Sequence, residues 1–137
     1  MNVKFAVSAV GIAVLLMVAP VQAHHPFDAE FDANKSVTVK GTVTKFEWVS
    51  PHVMLSMDVK DQSGQTANWT FEMGSPKKLK DFAWTKDTLK SGDEITVNAW
   101  AAKDGSRHGS ANMITMSDGT KYVGGSSFFD SERPISN

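Results

Sequence analysis

Five stretches of this sequence alternate apolar with polar residues, and a stretch with helical spacing separates the third from the fourth. Alternation with a period of two is typical of a β-strand that buries one face. The five predicted strands cover residues 36–49, 53–61, 66–73, 95–102 and 110–116, and residues 120–125 indicate a short sixth. Few folds accept strands and a helix in this order.

The helical stretch, GSPKKLKDFAW, carries clear start signals. Ser75 is a favourable N-cap, and Pro76 occupies the first helical position, where its missing N–H costs nothing. Leu79, Phe82 and Ala83 lie at positions i, i+3 and i+4, which predicts that the three share one buried stripe. We therefore expect one short helix between two groups of strands.

Three strands, a helix and two strands is the order of the OB-fold, a small five-stranded Greek-key barrel. The first strand of such a barrel must curve strongly, because it pairs with both halves of the sheet. Gly41 lies in the same row as Val39 and Val43, and glycine inside a strand often marks a bend of this kind. We predict an all-β chain with one short helix and an OB-like barrel, with a plain β-sandwich as the alternative.

The first residues indicate an export signal. Lys4 precedes an uncharged apolar segment over residues 5–18, Pro20 interrupts it, and the stretch Val21-Gln22-Ala23 has small residues where a signal peptidase requires them. The segment is short for a bilayer span, which takes about 20 apolar residues. Cleavage before His24 would create a mature chain in the periplasm or outside the cell.

These features divide the chain into four predicted parts. They are a signal peptide (1–23), an extended N-terminal arm (24–35), the barrel domain (36–125) and a C-terminal tail (126–137). The whole chain has 14 Lys and Arg against 15 Asp and Glu, whereas nucleic-acid binders concentrate positive charge. It has no cysteine, which excludes disulfides and thiolate ligands. We expect a monomer without a nucleic-acid partner, and without a membrane span after processing.

Several motifs also resemble a known family. They are AHHPFDAEFDANKSVTVKGTVTKFEWVSPHVMLSMDVKD, NWTFEMGSP, AWTKDTLKSGDE and AKDGS. Together they resemble, over nearly all of the mature chain, a bacterial family of small exported proteins known as domain of unknown function 6152. The resemblance implies export and a small β-rich fold, and it implies no activity. Ala83 stands where this pattern leads us to expect glycine.

A mature chain beginning at His24 would present an α-amine and an imidazole on one residue. Two such nitrogens chelate copper(II), which prefers tetragonal nitrogen and oxygen ligands. With a third nitrogen from His52 the site would resemble the histidine brace of copper-dependent polysaccharide monooxygenases and of some periplasmic copper carriers. His25 is a further candidate ligand. The alternative is a plain polar arm in which the histidines bind nothing or hydrogen-bond the barrel.

If Val53 and Leu55 of the second strand point inward, the same alternation predicts that His52, just before the strand, and Met54 point outward. A thioether beside an imidazole suits copper(I) or silver(I), and Glu72 is predicted to point outward on the neighbouring strand. Two ordinary explanations compete with this one. Met54 is a methionine that fills a gap under the arm, or His52 hydrogen-bonds a loop carbonyl.

Tryptophan supplies the last candidate surface. Trp48 and Trp100, with Glu72, predict a face that binds a flat ligand or a protein, although the C-terminal tail is an alternative cover for Trp100. His108 flanks a glycine–serine loop that we interpret as a hairpin turn. The leading hypothesis is an exported copper carrier or buffer, the second is a non-metal interaction module, and a copper oxidase is the third.

Overall fold

The computed structural model describes residues 27–125, in which every predicted strand is present. The elements are α1 (Phe27–Glu30), β1 (Phe31–Glu47), β2 (Met54–Lys60), β3 (Thr66–Glu72), α2 (Pro76–Asp81), β4 (Glu94–Ala102), β5 (His108–Met116) and β6 (Lys121–Val123). Neither helix within this part of the chain is long and apolar enough to cross a membrane.

The strands form one closed sheet in the order β3-β2-β1-β4-β5-β6, with an additional pairing between β3 and β5. The long strand β1 pairs antiparallel with both β2 and β4. The β3–β5 pairing is parallel and closes the barrel. This is the topology of the OB-fold, so the predicted barrel is confirmed and the β-sandwich is not formed.

Gly41 permits the close crossing of β1 over its two partners. It pairs with Ile95 of β4, and the next residue, Thr42, pairs with Asp58 of β2. A Cβ atom built on Gly41 would lie 2.1 Å from the Asp58 carbonyl oxygen, which is far inside van der Waals contact. The glycine predicted from its position in the row of valines is therefore required by a close backbone approach.

The inward rows of the strands form the main core, as the alternation predicts. Its fully buried side chains include Val53, Leu55, Met57, Phe71, Met73, Val97, Ala111 and Ile114. At one end, α2 adds Leu79, and the following Trp84 donates its indole N–H to the Val123 carbonyl oxygen at 2.8 Å. This hydrogen bond ties the segment after the helix to β6.

The start of α2 follows the prediction, and its end does not. Ser75 accepts a hydrogen bond from the backbone N–H of Lys78 at 3.2 Å, and Pro76 is the first helical residue. Phe82, predicted to be buried with Leu79, is instead the C-cap and is 39% exposed. The helix ends at Asp81, so Phe82 does not have the helical position that would place it beside Leu79. The chain then turns away at Ala83, which has a positive φ of 65°.

The predicted N-terminal arm is more structured than its sequence suggests. α1 is a helical turn, and β1 begins at Phe31 rather than at residue 36. Phe27 and Phe31, four residues apart, fall on one side of this turn and form a second apolar cluster with Trp100 and Ala102 on the outer face of β4. The predicted ligands His24 and His25, and the C-terminal tail, lie outside the described residues.

Candidate metal centre

One row of side chains runs across the outer face of the barrel. Met54 pairs with Glu72, Glu72 with Ser110, and Ser110 with Trp100, so the row crosses β2, β3, β5 and β4. Paired residues on neighbouring strands project from the same side of a sheet. Glu72 thus lies at the seam where the parallel pairing closes the barrel.

His52 approaches Glu72 from the loop that precedes β2. Its Nδ1 lies 3.0 Å from the Met73 carbonyl oxygen, and its Nε2 lies 3.5 Å from Oε1 of Glu72. The two side chains are 19% and 16% exposed, so both are largely shielded from water. The backbone immediately after β3 therefore fixes the ring and directs the second nitrogen towards a carboxylate.

His108, the first residue of β5, has the same arrangement on the other side of the seam. Its Nδ1 lies 3.0 Å from the Thr70 carbonyl oxygen, and its Nε2 lies 3.1 Å from Oε1 of Glu30. The aromatic ring of Phe31 packs on the imidazole with a centroid separation of 5.2 Å. Glu30 is the last residue of α1, so the helical turn carries the carboxylate to the histidine.

The carbonyl partners determine which nitrogen of each imidazole is a potential ligand. A carbonyl oxygen only accepts, so Nδ1 must carry the proton, and in the neutral ring the lone pair is on Nε2. In both pairs that lone pair faces a carboxylate oxygen, at 3.5 Å for His52 and Glu72 and at 3.1 Å for His108 and Glu30. Either a proton on Nε2 or a metal ion between the two atoms would make such a contact favourable. Ligands about 2.0–2.2 Å from a metal are separated by roughly 2.9–3.4 Å, close to both values.

The ligand atoms of Glu30, Glu72 and His108 all lie within 4.8 Å of one another. We call these three residues, together with His52, the Glu72 cluster. Imidazoles that bind metals almost always donate their other ring N–H to a carbonyl or a carboxylate, as His52 and His108 do here. The arrangement suits a cation with nitrogen and oxygen ligands.

The loop between β4 and β5 holds α1, which carries Glu30, and leads into His108. The backbone N–H of Lys103 donates to the Glu30 carbonyl oxygen at 2.9 Å, and its ammonium group donates to the Asp28 carbonyl oxygen. Further along, hydrogen bonds from Ser106 lower the pKa of the Asp104 carboxyl group. These contacts anchor α1 to the loop that leads into His108.

Ser110 lies in the row between Glu72 and Trp100 and is completely buried. Its hydroxyl oxygen has no hydrogen-bond partner within the part of the chain that the structure describes. A buried hydroxyl without a partner costs about 1–3 kcal/mol. The outer row therefore contains an unused polar atom beside Glu72.

The structure brings together some of the predicted site residues and separates others. His52 and Glu72 are neighbours, and Met54 pairs with Glu72 in register. Trp48 packs against the main core, whereas Trp100 packs edge to face on Phe27 at a centroid distance of 5.6 Å. The two tryptophans thus belong to different clusters and do not form a single face.

Sequence reasoning missed Glu30 and His108. Glu30 lies in the stretch AEFD, within the arm that the sequence predicts to be extended, and His108 ends the loop interpreted as a hairpin turn. A usable signal was the pair Phe27 and Phe31, whose spacing indicates a helical turn that would present Glu30 beside the barrel.

The model of the family of unknown function DUF6152 matches residues 13–112. No curated protein matches the chain. Among solved structures, the mitochondrial single-stranded DNA binding protein Rim1 from S. cerevisiae is similar, with 15% sequence identity and a TM-score of 0.48. The similarity covers 64% of this chain and 94% of that protein.

Proposed function

We propose that this chain, which belongs to the family of unknown function DUF6152, is an exported binding protein for a divalent metal ion, with copper(II) preferred. The observation that carries the proposal is the Glu72 cluster. Three potential ligand atoms lie within 4.8 Å of one another, and a backbone carbonyl fixes the tautomer of His108. The protein would act as a carrier or buffer and perform no reaction on the ion.

Charge and ligand type support a single divalent ion. Glu30 and Glu72 contribute two negative charges, which balance one doubly charged cation, and His108 contributes a neutral nitrogen. For sites built from nitrogen and oxygen, affinity rises through the divalent metals to copper(II) and falls again at zinc. Met54 offers a soft sulfur in the same row, for use if the ion is reduced to copper(I).

Chain reach supports a contribution from the processed N-terminus. Phe27 is anchored against Trp100, which is two strands from Glu72 and hence roughly 10 Å away. His24 lies three residues before Phe27, and three residues span at most about 10 Å. The α-amine and imidazole of His24, or the imidazole of His25, therefore lie within reach of the cluster as additional ligands.

The non-metal interaction module has less support. That hypothesis needs Trp48 and Trp100 on one face, whereas the two side chains pack in different clusters. Its remaining residue, Glu72, is shielded and faces His52. A flat ligand therefore could not stack on Trp48 and Trp100 together.

Calorimetric titration of the mature chain with copper(II) and zinc(II) tests the proposal. We expect one copper ion per chain, bound more tightly than zinc, and a loss of affinity of 10-fold or more in His108→Ala and Glu72→Gln. Glu94→Gln is the matched control, because it neutralises an exposed carboxylate on β4 outside the cluster. If both cluster variants bind copper as the parent does, the site is wrong.

A variant with one extra residue before His24 tests the N-terminus separately. It displaces the α-amine without changing the Glu72 cluster. Weaker copper binding in this variant would support the amine as a ligand. Unchanged binding would restrict the site to residues of the barrel and α1.

A further inference from the structure

An apolar groove lies beside α2 and shares no lining residue with the second apolar cluster. It has a volume of about 520 Å³ and is lined by Trp48, Lys80, Ala83, Trp84, Thr85 and Lys86. The indole of Trp84 belongs to the main core, whereas Trp48 is only partly buried and borders the groove. The walls are therefore aromatic, and two lysines supply positive charge at the groove.

The groove also coincides with the exposed apolar surface. In the part of the chain that the structure describes, the exposed large apolar side chains are Val49 at 47% and Phe82 at 39%. Val49 directly follows Trp48, and Phe82 directly precedes Ala83, so both flank residues that line the groove. An apolar patch with a charged border is typical of a surface that another segment covers.

The described chain ends next to this groove. The Val123 carbonyl oxygen accepts the hydrogen bond from Trp84, which lines the groove. Two residues later, Gly125 lies against Leu79, since a Cβ atom on Gly125 would be 2.8 Å from the Leu79 side chain. The last described residue, Gly125, thus lies against α2, at the residue that precedes Lys80.

The sequence of the tail complements the groove. It begins SSFFDSE, with two phenylalanines followed by two acidic residues. Phe128 is three residues beyond Gly125, and three residues span at most about 10 Å. We propose that the C-terminal tail folds back over α2, with Phe128 and Phe129 in the groove and Asp130 and Glu132 beside the lysines.

Fluorine NMR of the full mature chain tests this proposal. The chain has four tryptophans, so labelling with 5-fluorotryptophan gives four resonances that single Trp→Phe variants assign. We expect Phe128→Ser with Phe129→Ser to shift the Trp48 resonance, while the Trp100 resonance stays in place. Ser126→Ala with Ser127→Ala is the matched control and should shift neither.

Charge reversal tests the polar half of the contact. Asp130→Lys with Glu132→Lys should shift the Trp48 resonance in the same direction, and adding Lys80→Glu with Lys86→Glu should restore it. The proposal is overturned if the Trp48 resonance is identical in the parent and in the variant without the two phenylalanines. It is also overturned if the Trp100 resonance shifts instead, because the tail would then cover the second apolar cluster.

Discussion

Replacement of Gly41 by alanine isolates the contact on which the barrel crossing depends. The added methyl group would lie 2.1 Å from the carbonyl oxygen of Asp58 and 3.1 Å from the side chain of Met57. The Met57 side chain is flexible at its end, but the Asp58 carbonyl belongs to the backbone of β2. An ordinary contact begins near 3.4 Å, so β1 and β2 must separate by more than 1 Å.

That separation determines the size of the effect. It occurs next to the Thr42–Asp58 pair, beside the irregularity in register between Val43 and Lys45. Overpacking costs about 1–3 kcal/mol, and each weakened hydrogen bond of the ladder adds about 0.5–1.5 kcal/mol. We expect Gly41→Ala to lower the free energy of unfolding by about 3 kcal/mol. Gly41→Val should cost more, since it is larger.

Urea unfolding followed by tryptophan fluorescence measures this loss. Gly64→Ala is the control: Gly64 has a φ of 81° and open space around it, so alanine there suffers only the positive φ. That costs about 1–2 kcal/mol. If Gly41→Ala destabilises the protein no more than Gly64→Ala does, the close approach of the two strands is not what requires glycine.

Three further predictions concern other parts of the chain. Ala83→Gly should raise the free energy of unfolding by about 0.5–1 kcal/mol in a urea titration, because glycine removes the cost of a positive φ, partly offset by its own entropy. Three carboxyl groups have lowered pKa values because of hydrogen bonds: Asp61 from Ser63, Asp104 from Ser106 and Asp118 from Thr120. These carboxylates therefore stabilise the fold at pH values above the ordinary carboxyl pKa, and the stabilisation is lost as the pH falls through their lowered pKa values. Thermal melting from pH 7 to pH 3 should show that loss, reduced in Asp118→Asn. Mass spectrometry of the exported protein should find His24 as the first residue, and an intact N-terminus would remove the α-amine from the proposed site.

The barrel was predictable because the alternation of apolar and polar residues that identifies each strand lies within that strand's own sequence. Residues such as Met57 and Val97 alternate with polar neighbours, and that alternation is sufficient to assign their faces. The turn α1 was not predicted, since its stability comes from packing of Phe27 and Phe31 on Trp100, a contact between residues far apart in sequence. Tertiary packing of this kind overrides weak local preference.

The candidate site was predictable only in part, for the same physical reason. Alternation placed Glu72 outward, and His52 was a candidate from its position before the second strand. His108 joins them only through the parallel pairing of β5 with β3, which no local pattern encodes. Glu30 belongs to α1, a helical turn that the sequence did not predict.

The parallel seam between β3 and β5 has a consequence for how the protein opens. It consists of three residue pairs, Thr70–His108, Phe71–Gly109 and Glu72–Ser110, and it joins strands 38 residues apart in the chain. A short joint between distant segments is expected to open more often than the long hairpin ladders beside it. Residues of the Glu72 cluster lie on both strands of this seam, so an ion bound to them would hold the two strands together. Amide hydrogen exchange in the seam should then slow on adding metal, while exchange in β1 and β2 changes little.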